Sequence, residues 1–372
     1  MPNDRTDKYL SRDDTKVMKC IAIILMLMHH LWFFQDRIPG GPLVSLFHGF
    51  HIPTLQILSA FGKICVPMFF FLGGYGIYKS SYGKPYDIFK RLKKLYFAYW
   101  KVFVIFIPIG FLFFSSQAAY CADSSIYTRF ANFSIKELAL NFFAIASTYN
   151  SEWWFLISYV FALCLYPMIR TIVDRNSAKS NVVIVFLVSL LLVHFFTKVN
   201  VSLGPNALDF KTLFFTFIFQ TAPYIASFWM GAVTAKEGLL SKFGDDAKAN
   251  KLLNPFTDIM IWGIVIYLRQ VAIGETFDIF FVPMLTIASM DLLSRMKPLK
   301  KLLAIMGKQS TSMWLIHTFF CYYFGAIAVI VTAPRYAILS LLFLIALTYL
   351  SSVLVSFFWS GVESLYNKIK KS

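Results

Sequence analysis

Apolar runs long enough to cross a bilayer recur along the whole of this 372-residue chain. The hydrocarbon core of a bilayer, about 30 Å thick, takes roughly 20 apolar residues as a helix, and backbone groups inside it must be paired within the segment. A helical bundle satisfies that demand, and an ordinary soluble domain has no use for such runs. The composition agrees, at 58% hydrophobic and 18% aromatic residues with only 15% charged. The chain is read as all-α: a polytopic integral membrane protein embedded in a lipid bilayer.

Ten spans are predicted, at about Lys16–Phe34, Leu55–Tyr78, Leu95–Phe114, Glu152–Val173, Asn181–Thr197, Thr212–Ala235, Asp258–Val271, Phe277–Leu293, Ser310–Val331 and Tyr336–Trp359. The domain reading follows: a polar cytoplasmic tail at residues 1–15, a transmembrane domain at 16–360 and a basic cytoplasmic tail at 361–372. The net charge of +16 would suggest nucleic acid in a soluble protein. Here its placement argues otherwise. Twenty-six of the 35 Lys and Arg fall on one set of connecting segments and seven on the other. The positive-inside rule then places both termini in the cytoplasm and removes nucleic acid as a partner. The five Cys form no CxxC pair or His/Cys cluster, so neither a disulfide framework nor a metal site is expected.

The first span, within MKCIAIILMLMHHLWFF, carries Lys19 near one end and His29 and His30 deep inside. At about 100° per residue, Lys19 and His30 share a helix face and lie about 16 Å apart along it, while His29 points elsewhere. An ionisable group in a span is costly and usually faces a polar interior. That makes His30 a candidate base, against a plain interhelical hydrogen bond. Lys19 is a candidate for holding an anionic donor, against snorkelling to headgroups. Gly73, Gly74 and Gly76 in the second span permit close approach of a backbone or ligand, with helix packing as the ordinary reading. Lys63 is expected inside the same span, facing the interior. Glu152 and Trp153 open the fourth span, where dipole complementation and an aromatic belt compete with an acceptor-site role. Ser310 and His317 share a face of the ninth span. His48, His51 and His194 read as loop or interface residues.

Four motifs in order resemble the membrane acyltransferase-3 family, bacterial enzymes that modify envelope or extracellular polysaccharides. Lys19 and His30 match its basic residue and His separated by ten intervening residues, with Lys19 and Cys20 where Arg and Gly are commoner. The run Phe70-Phe71-Leu72-Gly73-Gly74-Tyr75 matches an FFxLSGF-like motif with Gly73 for Ser. Trp154-Phe155-Leu156 with Tyr166-Pro167 matches a third, although Ser158 and Tyr159 stand where many members carry Glu. Gly307, Ser310, Leu315 and His317 match the fourth.

The resemblance implies O-acyl transfer, most simply of acetyl, from cytoplasmic acetyl-CoA to a sugar hydroxyl of an exported or lipid-linked polysaccharide. No metal is called for, and polysaccharide assembly proteins are possible partners. The setting implied is the bacterial cytoplasmic membrane. His30 would act as base or acyl-carrying nucleophile, with Ser310 and His317 orienting groups in the core. Lys19, Arg91, Lys93 and Lys94 would attract the donor's phosphates. Glu152, Trp153 and Lys63 are the acceptor-side candidates. Two other readings use the same residues: a flippase for lipid-linked glycan, with Lys63, Lys101 and the histidines along a path, and a glycan-binding scaffold. The topology is open to test: a reporter fused at Ser372 should be active only in cytoplasm-specific form. An active external phosphatase there would invert the assignment.

Overall fold

The computed structural model describes residues 7–45, 53–198, 208–271 and 274–370; His48 and His51 lie outside them. The chain runs through helices α1 (Arg12–Phe33), α2 (Pro53–Gly62), α3 (Cys65–Ser81), α4 (Ile88–Phe113), α5 (Ser124–Tyr127), α6 (Ile135–Phe142), α7 (Trp154–Arg175), α8 (Ala178–Lys198), α9 (Phe210–Glu237) and α10 (Leu239–Ala249). It continues through α11 (Pro255–Val271), α12 (Asp278–Arg295), α13 (Lys297–Gly307), α14 (Ser310–Thr318), α15 (Gly325–Thr332) and α16 (Ala337–Ile369). Among the described residues there is no strand, only an isolated bridge between Val44 and Tyr336. Among the described residues, eight helices are long and apolar enough to cross a membrane, counting Ile57–Ser81 as one. Ser310–Tyr323 with Gly325–Thr332 makes a ninth if the bent pair is one span. The short span predicted at Asp258–Val271 is α11, whose 17 residues rise about 25 Å, less than the hydrocarbon thickness.

Three expectations change. The second span is interrupted by a turn at Lys63–Ile64, so Lys63 stands at a break rather than inside a continuous helix, and its ammonium pairs with Glu275 at 2.6 Å. The ninth span bends by 87° after Tyr323, where Phe324 leaves the helical region at φ −97°, ψ 89°. The tenth helix, expected to end near Trp359, continues to Ile369.

The chain forms two compact units. The first comprises Met1–Met26, Ala60–Ile88 and Trp154–Gly307. At its centre α3 and α9 touch backbone to backbone. A Cβ at Gly74 would collide with the Phe228 carbonyl, and one at Gly231 with the Phe71 carbonyl. Small residues at membrane helix crossings permit this approach, since apolar burial drives little association in lipid. Beside Gly74, a Cβ at Gly73 would stand 2.7 Å from the Tyr159 ring. The Ser-to-Gly departure at 73 and the Tyr at 159 therefore fill one space between them. Polar pins complete the unit. Arg269 grips Asp278 with two bonds of 2.9 and 3.1 Å, and the Asp7 carboxylate accepts from Leu240 N and Ser241 Oγ at the start of α10.

The second unit comprises Leu27–Ser59, Phe89–Trp153 and Lys308–Ser372. Trp32 donates its indole N–H to the Ala337 carbonyl at 3.1 Å, and Trp359 does the same to Lys101 at 3.0 Å. Lys101, a path candidate from the sequence, pairs with Glu363 on α16 at 2.7 Å. In the loop between α4 and α7, α6 covers Ile135–Phe142. Ser134 caps it by accepting from Glu137 N, and Ile135 is left exposed.

The α3–α9 contact carries a direct test. Gly74→Ala forces a methyl into backbone and should destabilise the purified protein by about 1–3 kcal/mol or more, read as a lower unfolding temperature. Gly76→Ala is the control, because nothing lies within 4 Å of the methyl it adds.

Candidate active site

The bend in the ninth span is where the second unit gathers its polar side chains. From Phe319 to Tyr323 the helix widens to a π turn, closed by Phe324 N donating to the Phe319 carbonyl at 2.8 Å. Such turns recur at functional sites because they redirect side chains and free backbone groups. Here those groups are taken by the loop after α4. Gln117 Nε2 donates to the Tyr323 carbonyl at 3.0 Å, and Gln117 Oε1 accepts from Gly325 N at 2.7 Å. Tyr120 donates its hydroxyl to the Tyr322 carbonyl.

The result aims two consecutive tyrosines at one carboxylate. Tyr322 donates to Glu152 Oε1 at 2.7 Å, and Tyr323 donates to Glu152 Oε2 at 3.0 Å. Glu152 sits not in a helix but in a 3-10 turn, Ser151–Trp153, just before α7, and it is buried. The turn is fixed on several sides. Asn150 Oδ1 accepts from Glu152 N at 3.2 Å, Trp314 Nε1 donates to the Glu152 carbonyl at 3.3 Å, and Trp153 Nε1 donates to the Leu315 carbonyl at 3.0 Å. A buried carboxylate needs such donors and compensating charge.

His30, near the end of α1, completes the group. Its Nδ1 lies 3.2 Å from the Tyr322 hydroxyl and 3.7 Å from Glu152 Oε1. Since the Tyr322 proton goes to Glu152, its oxygen is left to accept, which assigns the proton of His30 to Nδ1. Nε2 then carries the lone pair. The ring of His317 lies 5.1 Å from that of His30. His317 is fully buried, with Nδ1 on the Trp314 carbonyl at 2.7 Å, and its Nε2 has no hydrogen-bond partner among the described residues. Two imidazole lone pairs thus sit in adjacent rings.

Arg37 supplies the positive charge. It lies 3.9 Å from Glu152 and 3.5 Å from Asp123, with its guanidinium 4.1 Å above the Phe34 ring. Burial opposes its charge, but Tyr322, Glu152, Tyr323 and Asp123 outweigh that and raise its pKa above the ordinary arginine value.

The other sequence candidates distribute as follows. Trp153 is buried against Tyr99 and Phe319, where it locks the turn that presents Glu152. Ser310 is buried at the first position of α14, on the same helix as His317. Arg91, Lys93 and Lys94 occupy the first two turns of α4, with Lys93 and Lys94 exposed. Lys19 is half-buried on the part of α1 that belongs to the first unit, and Lys63 also belongs to that unit. His29 bonds through Nδ1 to the Ser59 carbonyl at 2.7 Å and stacks on Phe33. The residues that sequence reasoning passed over are Arg37, Asp123, Tyr322 and Tyr323. In the sequence Arg37 reads as one loop charge among several, and the tyrosines as part of an apolar span.

Apolar helices of membrane length define a multi-pass membrane protein, and His30, Tyr322 and Glu152 form a hydrogen-bonded group within it. Residues 13–358 match the family model described as an acyltransferase domain, and the chain belongs to the acyltransferase-3 family, the membrane acyltransferases. No curated protein and no solved structure matches the chain.

The geometry separates the two tyrosines. Tyr322 bridges His30 and Glu152, whereas Tyr323 only anchors the carboxylate. Tyr322→Phe should lower acyl transfer about tenfold or more, and Tyr323→Phe should lower it less, with membrane levels matched. Equal losses would mean that both tyrosines only support the fold.

Proposed function

We propose that the protein transfers an acyl group, acetyl in the simplest case, from cytoplasmic acyl-CoA to a sugar hydroxyl of an exported or lipid-linked glycan. It would work in the bacterial cytoplasmic membrane with both termini inside. The observation that carries this reading is the chain of hydrogen bonds from His30 Nδ1 through the Tyr322 hydroxyl to Glu152, which leaves His30 Nε2 as a base.

In this mechanism Nε2 of His30 takes the proton as the acceptor hydroxyl oxygen attacks the thioester carbonyl carbon. The imidazolium so formed is stabilised by Glu152 through Tyr322, as an acid partner stabilises a catalytic histidine elsewhere. When the C–S bond breaks, the same proton passes to the departing thiolate. The acceptor gains an ester, the donor leaves as free thiol, and His30 returns to its starting form. His317 Nε2 can accept a hydrogen bond from an incoming hydroxyl and so hold it beside His30. Lys19, Arg91, Lys93 and Lys94 are assigned to the donor's phosphates by charge, the lysines as point charges rather than bidentate forks. Glu152 here supports the base instead of touching the acceptor.

The test compares His30 with its neighbour. With protein levels matched, His30→Gln should lose about 10²–10⁴-fold in acylated glycan and thiol release from acetyl-CoA, because it keeps hydrogen bonding without basicity. His29→Ala should keep most activity, since its ring serves packing between α1 and α2. Normal product from His30→Gln would remove the base and favour the flippase or scaffold reading.

A further inference from the structure

The second unit carries an open cleft of about 550 Å³ beside the 3-10 turn that follows α1. Gln35, Asp36, Gly40 and Gly41 line one wall, and Tyr120 and Cys121 line the other. Both walls are held in place. Arg335, itself at φ +62°, donates to four successive carbonyls: Pro39 at 2.6 Å, Gly40 at 3.0 Å, Gly41 at 2.9 Å and Pro42 at 2.8 Å. The Asp36 carbonyl accepts from Ala122 N at 2.9 Å and Asp123 N at 3.3 Å, which ties one wall to the other.

Each wall also leads into the candidate active site. Asp36 adjoins Arg37, whose guanidinium reaches Glu152. Tyr120 donates to the backbone of Tyr322, the residue whose hydroxyl bridges His30 and Glu152.

The lining chemistry selects a ligand. Asp36 is exposed, and among the described lining residues none is Lys or Arg. A carboxylate and the Gln35 amide suit hydroxyl donors, and the Tyr120 ring suits the apolar face of a sugar. The glycines leave backbone open to close approach. A polyphosphate donor would meet the negative charge of Asp36, while the nearby guanidinium groups are already engaged, Arg335 by four wall carbonyls and Arg37 by Asp123 and Glu152. We propose that this cleft binds a sugar residue of the acyl acceptor, with Asp36 and Tyr120 setting acceptor specificity, and that the anionic donor does not enter it. The assignment rests on the glycan reading given above.

Cys121 provides a handle. It is half-buried in the cleft wall, Cys164 is exposed, and Cys20, Cys65 and Cys321 are buried. In full-length Cys164→Ser protein, a polyethylene glycol maleimide should modify Cys121 and block the cleft. Burial raises the Cys121 thiol pKa, so labelling is run above neutral pH. The readouts are radiolabelled acetyl transfer to glycan extracted from the source cells' envelope, and acetyl-CoA affinity. Labelling should cut transfer at least about tenfold with acetyl-CoA affinity unchanged, and the glycan should slow the labelling. Asp36→Asn should raise the acceptor KM about tenfold and leave donor affinity within about twofold. Normal transfer by both the labelled protein and Asp36→Asn would overturn the cleft assignment alone. Protection of Cys121 by acetyl-CoA would make the cleft a donor site and overturn it as well. If the unmodified protein acetylates no glycan, the glycan reading itself fails and this assignment falls with it.

Discussion

A carboxylate taken out of water must be repaid with donors and charge, and in the second unit that demand belongs to Glu152. Two tyrosine hydroxyls, an imidazole and a guanidinium meet it. Neighbouring tyrosines on a regular α-helix diverge by about 100° and do not readily reach both oxygens of one carboxylate. The π turn and the bend after Tyr323 bring them together. The bend frees backbone groups, and Gln117 and Tyr120 take these up. One buried charge thus accounts for a broken helix, an ordered loop after α4 and the 3-10 turn before α7.

The same arrangement separates two adjacent histidines by function. His29 and His30 differ by one helical step, yet His29 closes onto the α2 backbone while His30 meets Tyr322 and His317. Aromatic rings surround the polar group: Phe34 stacks on His30 and also lies under Arg37. Glu152 and Tyr322 are buried, so the hydrogen bond between them acts in a medium of low dielectric, where it is stronger and where a missing partner costs more.

The architecture was largely open to reading from sequence because the bilayer constraint is written in long apolar runs. Lys19, His30, Glu152 and His317 stood out for a related reason, being polar residues within or at the edge of such runs. The interruptions were much harder to see. Nothing in Phe324-Gly325 marks a sharp bend, since the run stays apolar and one glycine in a span is ordinary. The hydrophobic pattern continues across the turn that holds Lys63 and so does not mark it. The partners of Glu152 were illegible for a different reason. Tyr322 is 170 positions away, and which tyrosine turns toward which acid depends on tertiary packing that no local pattern encodes. Arg37 looked like one loop charge among several until its neighbours were known.

The contact between Gly73 and Tyr159 constrains how this chain could have changed over time. A side chain at 73 and a full phenol ring at 159 compete for one volume, because the added Cβ would stand 2.7 Å from the ring. Substitution order therefore matters. A lineage that shrinks residue 159 first can then accept serine at 73 without a clash. The reverse order passes through an overpacked intermediate. Serine at 73 beside tyrosine at 159 therefore requires the far end of the phenol ring to move, which couples the two positions although 85 residues of chain lie between them.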